Sequence, residues 1–159
     1  MNGTVKRVIL IAFMAVFYSG VSAQSMWWVD SNKEYIRKTS DSTYRHLDSE
    51  ANPNNYFKII NNKFWELIGE SYEYKGYCTY ADDEYTYYDR YDNIVASYVP
   101  SQRRYYMHSS QGHTILKSES FAVLSNGVLI QNTGGDIPLK YKVDEGFAPV
   151  VIGFFLLVY

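Results

Sequence analysis

The sequence predicts a mainly β protein, an antiparallel meander forming a small barrel or sandwich behind a short helical or irregular N-terminal segment. Aromatic residues make up 18% of the 159 residues, and 17 of them are Tyr, a side chain suited to half-buried pleated surfaces. From Tyr72 onward, short alternating runs are separated by turn signals at fairly even spacing, the pattern of sandwiches and barrels. The stretch Phe147–Tyr159 carries no charge and no side-chain amide. Val, Ile and Phe dominate it, which favours a strand. Both faces of that strand are apolar, so both need cover. Each large apolar side chain it buries contributes roughly 1.5–3 kcal/mol, so the stretch is expected to supply much of the core.

Two other readings of this stretch are weaker. A bilayer-spanning helix needs about 20 apolar residues, and this run is shorter and contains Pro149 and Gly153. A closing strand of an outer-membrane barrel fits the length, and the terminal aromatic Tyr159 resembles the ending of that family. Its lumen face would be apolar, however, where such barrels need a polar one. A strand donated to a partner chain is the remaining alternative.

Residues 1–23 read as a signal peptide. Lys6 and Arg7 precede the apolar run Val8–Tyr18, and Val21-Ser22-Ala23 is a small-x-small cleavage pattern. Cleavage after Ala23 would leave Gln24 first, and no cysteine follows to suit a lipoprotein. The mature chain is therefore expected outside the cytoplasm, periplasmic or secreted. It divides into a polar, part-helical N-terminal segment at 24–62 and a β domain at 63–159.

Within 24–62, Ser31-Asn32-Lys33-Glu34 reads as a capping box opening a short helix toward Leu47. Asn52-Pro53-Asn54-Asn55 reads as a loop. Trp27 and Trp28 are adjacent, so on a strand they face opposite ways and one packs inward. Phe57, Ile60, Phe64 and Leu67 have helical spacing, yet Asn61-Asn62 also sits where a hairpin turn would. Helix is favoured for Asn55–Asn62 and strand from Phe64. The run Phe64-Trp65-Glu66-Leu67-Ile68 resembles the Trp-bearing first strand of lipocalin-like barrels, which implies a β barrel. Lys63 stands where that family carries a glycine, and the resemblance covers one strand.

Further on, Tyr72, Tyr74, Cys78 and Tyr80 are expected on one face, with Ala81-Asp82-Asp83-Glu84 as a turn. Tyr85, Tyr87 and Tyr91 share a face on the return. Asp92-Asn93 turns into Ile94–Val99, Pro100-Ser101-Gln102 breaks that strand, and Arg103–His108 follows. Ser109-Ser110-Gln111-Gly112 leads to His113–Ser118. Asn126-Gly127 suits a two-residue type I′ hairpin turn. The turn sets Leu124 opposite Leu129 and Val123 opposite Ile130, apolar on both faces. Thr133-Gly134-Gly135-Asp136 turns again before Ile137–Val143, where Pro138 favours an edge or a strand start.

For function, the net charge of −2 leaves no electrostatic footprint for nucleic acid. One cysteine, Cys78, excludes an internal disulfide. Cys78 with His108 or His113 is the one nucleophile–base pairing available, and its neighbours give no reason for a lowered thiol pKa. His108 and His113 flank a turn but lack a third metal ligand. Asp82-Asp83-Glu84 lacks the spacing of a calcium loop. No catalytic residue, metal or cofactor is predicted. The aromatic supply points instead to a stacking surface, with Tyr72, Tyr74, Tyr80, Tyr85 and Tyr87 as the candidate ligand-binding residues. The expected role is an exported non-catalytic binding or interaction module for a small ligand, glycan or protein, and oligomers are compatible with it. The alternative is a structural envelope component, either a small outer-membrane barrel or a strand-sharing subunit, and a hydrolase comes third.

Overall fold

The computed structural model describes residues 24–47, 55–111, 114–118, 121–132 and 135–158. In chain order the strands are β1 (Ser25–Trp28), β2 (Glu34–Lys38), β3 (Thr43–His46), β4 (Tyr56–Ile60), β5 (Lys63–Ile68), β6 (Ser71–Ala81) and β7 (Glu84–Asp89). They continue as β8 (Ile94–Val99), β9 (Arg104–Gln111), β10 (Thr114–Lys117), β11 (Ala122–Ser125), β12 (Val128–Gln131) and β13 (Leu139–Val143). Consecutive strands pair antiparallel from β1 to β9; β11 then pairs with β9, and β12 and β13 lead back to β1. The β8–β9 pairing closes a 12-strand barrel. β10 stays outside the ring, paired with the far half of β9. The fold is thus a barrel rather than a sandwich, wider than the eight strands of lipocalins, and Trp65 lies on its fifth strand.

Residues 24–47 and 55–62 are extended and form four of the staves, so the helix expected after Ser31 is absent. Asn32 has φ 52° and turns β1 into β2, where the sequence reading placed a capping box. The side chain of Glu34 instead bonds Ser25 and Arg37. The helix favoured over Asn55–Asn62 gives way to the hairpin alternative. Asn61 and Asn62 take φ 50° and 59°, a left-handed pair that a helix cannot hold but a two-residue hairpin turn requires. Asp82-Asp83 (φ 50° and 59°) and Asn126-Gly127 (φ 50° and 72°) repeat that conformation. The last sets Leu124 opposite Leu129 and Val123 opposite Ile130, the expected register. Its outer face is open, with Ile130 38% exposed. The loop residues Asn52–Asn54, His113, the turn residues Thr133-Gly134, Tyr159 and the leader at 1–23 lie outside the described residues.

One face expectation fails at a bulge. Phe64 pairs with Gly76 but Trp65 with Tyr74, leaving Lys75 extra. The parity of β6 therefore flips there. Tyr72 and Tyr74 lie on the outer wall, whereas Cys78 and Tyr80 face the lumen.

The largest departure is the chain end. Pro149–Gly153 is an α-helix, α1, with Pro at its first turn, and Phe154–Val158 continues as a π-helical turn. The burial expected of this stretch holds, since Val151, Ile152, Gly153, Phe154 and Phe155 are all buried. Its geometry does not, because the stretch fills the barrel as a plug instead of joining its wall. A helix apolar all round is a buried helix, and its own backbone bonds spare the lumen any unpaired strand edge. Phe154 stacks on Phe64 at 5.0 Å and meets Tyr87 edge-on at 5.1 Å; Phe155 contacts Phe57 at 5.0 Å.

Two wall tyrosines tie down the plug. The Tyr87 hydroxyl donates to the Val150 carbonyl at 2.9 Å, and the Tyr105 hydroxyl to the Pro149 carbonyl at 2.8 Å. Both tyrosines are fully buried, and burial pushes both hydroxyls far above the usual phenol range. Gly153 lies against the Tyr87 ring, where a Cβ would overlap its hydroxyl and Cζ and come within 2.9 Å of Cε1. Gly153→Ala is therefore expected to destabilise the fold by about 1–3 kcal/mol through overpacking. Tyr87→Phe should cost a similar amount, about 1–3 kcal/mol, by leaving a buried carbonyl without its donor. Equilibrium denaturation of each variant against the parent measures both.

Candidate functional site

The strand directions give the barrel two unlike mouths. At one, the plug enters beside the short turns Asn61-Asn62, Asp82-Asp83 and Asn126-Gly127 and the 3-10 turn Pro100–Gln102. The other carries the connections 29–33, 69–70 and 90–93.

At the plug-entry mouth, four inward-facing tyrosines occupy adjacent strands in register: Tyr80 opposite Tyr85, Tyr85 opposite Tyr98, and Tyr98 opposite Tyr105. Their ring centroids lie 4.6, 6.2 and 4.4 Å apart in that order. Exposure runs from 57% at Tyr80 to zero at Tyr105. The ladder is anchored where Tyr105 bonds the plug and open at Tyr80. Cross-strand aromatic pairs of this kind stabilise a sheet by roughly 0.2–1 kcal/mol each, so the inner rungs have a packing role. The outermost ring has surface to spare. Asp83 accepts a hydrogen bond from the Ser101 N–H at 3.2 Å, joining the turn beyond Tyr80 to the turn beyond Tyr98.

Two depressions adjoin the ladder. One, of about 320 Å³, is lined by Tyr80, Tyr85, Tyr98, Pro100, Pro149 and Val150. The other, of about 410 Å³, shares Tyr98, Pro100 and Pro149 and adds polar groups, among them Arg103, Asn126, Asp144 and Glu145. Burial raises the pKa of Tyr98, and the charge of Arg103 opposes that rise. Asp144 is held in place by the Ser25 N–H, which donates to its Oδ2 at 3.0 Å.

Of the five predicted tyrosines, Tyr80 and Tyr85 meet at this mouth. Tyr87 is one layer deeper, against the plug. Tyr72 and Tyr74 lie on the outer wall, Tyr72 under the Lys58 ammonium at 3.9 Å and Tyr74 against Trp65 at 5.0 Å. Tyr98, Arg103, Asp144 and Glu145 were not singled out in the sequence, and Asn126 only as a turn residue. The alternation Tyr85, Tyr87 and the cross-strand partner Tyr98 were the available signal for the first. The polar residues come together only through barrel closure. At the far mouth, Trp28, Tyr35 and Tyr141 pack within 4.5–5.1 Å of one another. With His46, Phe155 and Leu156 they line a depression of about 350 Å³. Trp28 is the inward-packing tryptophan of the Trp27-Trp28 pair.

Burial pushes the Cys78 thiol up to about 12, far from a thiolate at neutral pH. His108 stands opposite Lys117 on β10, and its Nε2 is 2.9 Å from Ser97 Oγ. Ser97 has no exposed surface, so this pair offers no approach to a carbonyl substrate. Lys117 Nζ donates to Glu84 Oε1 at 2.8 Å and lies 4.4 Å from the Tyr106 ring centroid. Burial pushes Glu84 up, but the bonds from Lys117 and Ser97 and nearby positive charge bring it below its ordinary value. Among the described residues no three His, Cys, Asp or Glu side chains are grouped to hold a metal.

Burial lowers the pKa of His108, Lys117 lowers it further, and Glu84 opposes them. Its folded value is thus below the unfolded value of about 6.5, and the unfolded state binds the proton first. Stability is expected to fall as pH drops through about 6.5 toward the folded pKa, and His108→Gln should flatten the slope below about pH 6.5, as read by urea denaturation. The chain matches no protein-family model, no curated protein and no solved structure.

Proposed function

We propose that this chain is an exported, non-catalytic binding module whose contact surface is the tyrosine ladder at the plug-entry mouth. The carrying observation is the 57% exposure of Tyr80 at the open end of a ladder that is otherwise locked in place. A ring held on one face and open on the other binds flat groups at low entropic cost. The two adjoining depressions, about 320 and 410 Å³, fall within the size range of small-molecule sites. The lumen, by contrast, is taken by the plug. Export rests on the leader read in the sequence. Mass spectrometry of the mature protein is expected to find Gln24 at its N-terminus.

Tyr80→Ala is expected to weaken binding of a planar-ring or sugar ligand by about tenfold or more, the equivalent of one stacked ring. Tyr72→Ala, on the outer wall, should leave affinity unchanged. Saturation-transfer NMR across a panel of such ligands measures both. Equal behaviour of the two variants would remove the ladder from the proposal.

A second reading, a strand-sharing structural subunit, is favoured by β10. Ser118 N–H bonds the Met107 carbonyl, so by alternation the backbone groups of Ile115 and Lys117 point away from β9. Ile115 and Leu116 are 48% and 44% exposed, and an open edge of this kind can pair with another chain. Under this reading, Ile115→Lys should convert an oligomer to monomer in analytical ultracentrifugation. A parent that sediments as a monomer at all concentrations would eliminate it. A lipid-facing wall finds little support, because Arg37, Lys140 and Lys142 are exposed on the outer face, where a membrane barrel carries an apolar band.

A further inference from the structure

The binding reading leaves open what chemistry the mouth selects, and the two depressions differ in a way that bears on it. The Tyr80 side is ring-walled and offers no charged side chain: its lining is Tyr, Pro, Ala and Val. The Gly127 side places a guanidinium (Arg103), two carboxylates (Asp144 and Glu145) and an amide (Asn126) around one hollow. They meet along Tyr98, Pro100 and Pro149, so one elongated ligand can lie across both.

We infer that the occupant is an uncharged glycan chain, one sugar ring resting on Tyr80 and the next bonded in the polar hollow. This inference rests on the ladder being the binding surface. A pyranose ring has an apolar face of C–H groups that suits an aromatic platform and an edge of hydroxyls that each donate and accept. Planar groups able to hold such an edge are carboxylate, amide and guanidinium, the set found in the polar hollow. A planar aromatic ligand would use the Tyr80 side and leave those groups without partners. An acidic chain would meet the carboxylates of Asp144 and Glu145. The rigidity of the site suits a ligand of many weak contacts. Asp144 is fixed by the Ser25 N–H at 3.0 Å, and Asn126 by its left-handed turn at φ 50°. Glu145 is exposed and free to close on the ligand.

The test is a titration of the full-length chain with neutral, N-acetylated and acidic oligosaccharides, alongside indole and adenosine as planar aromatic probes, followed by heteronuclear NMR. The expected result is saturable binding of a neutral or N-acetylated oligosaccharide that shifts signals of Tyr80 and of Asn126 or Glu145 together. Tyr80→Ala and Glu145→Ala should each weaken that binding at least about fivefold. Glu145 is exposed, so Glu145→Ala is expected to keep the parent melting profile; Tyr80→Ala is expected to keep one cooperative transition, lowered only by loss of its pair with Tyr85. Binding of indole or adenosine at Tyr80 with no oligosaccharide response overturns the glycan inference and leaves the binding module standing. A response to acidic oligosaccharides alone overturns it too. No response at this mouth to any probe overturns both.

Discussion

The hydroxyls of Tyr87 and Tyr105 bonded to the carbonyls of Val150 and Pro149 are the constraint on which the rest of this molecule depends. Barrel width grows with strand number, and a 12-strand ring is too wide for its own wall side chains to meet across the axis. An empty apolar lumen would forfeit the dispersion contacts that hold a core together. A helix is about 10–12 Å across with its side chains, and the chain end supplies one. A helix inserted into a lumen can slide or rotate unless something polar fixes it. The two hydroxyl–carbonyl bonds set the depth of the plug, and the missing side chain at Gly153 sets its rotation by admitting the Tyr87 ring.

Filling the lumen decides where a ligand can bind. A barrel with a hollow interior can enclose its ligand; this one has spent that space on Ile152, Phe154 and Phe155, each no more than 3% exposed. The mouths remain. At the plug-entry mouth three of the connections are two-residue turns whose Asn and Asp residues accept left-handed backbone. Such turns project little, which is why Tyr80 stands clear of its rim. The same rung of tyrosines therefore has two duties along one line: its buried end, Tyr105, holds the plug, and its open end is left for contact. The coupling is physical, since displacement of the plug would remove the support behind Tyr98 and Tyr85.

Much of the wall was legible in the sequence because its signals are local. Asn126-Gly127 gave the register of β11 and β12, Pro100 marked the break before β9, and Asp82-Asp83 turned β6 into β7. The terminal stretch was read correctly as buried and wrongly as a strand. A run apolar on every side fits a two-sided strand and a buried helix equally well; Pro149 at the first helical turn was the neglected signal, overruled by the β-branched composition. Helical spacing of Phe57, Ile60, Phe64 and Leu67 misled in the opposite sense. Phe57 and Phe64 do face the same interior, but from two strands of one hairpin across Asn61-Asn62. The placement of Tyr72 and Tyr74 could not be read at all, because it turns on the bulge at Lys75, where Gly76 lets the Tyr88 backbone come closer than any Cβ would allow. The polar half of the candidate site was invisible for a different reason. Arg103 and Glu145 are 42 positions apart in the numbering, and only ring closure sets them around one hollow.

The outer wall shows how such an aromatic chain keeps its rings from acting as general glue. Tyr72 is covered by Lys58, Tyr106 by Lys117, and Tyr77 stacks flat on Tyr88 at 4.6 Å. Each of these rings has one face taken by a cation or by another ring, which lowers the apolar area left for non-specific association. The cluster of Glu84, Ser97, His108 and Lys117 adds a second restraint on the same wall, tying β10 to β7 across the strands between them. Tyr80 likewise has one face against its partner Tyr85 and is exposed to 57%, less than Tyr91 at 68%. What sets Tyr80 apart from the outer-wall rings is its position, since its open side lines a hollow at the plug-entry mouth beside Tyr98, Pro100 and Pro149.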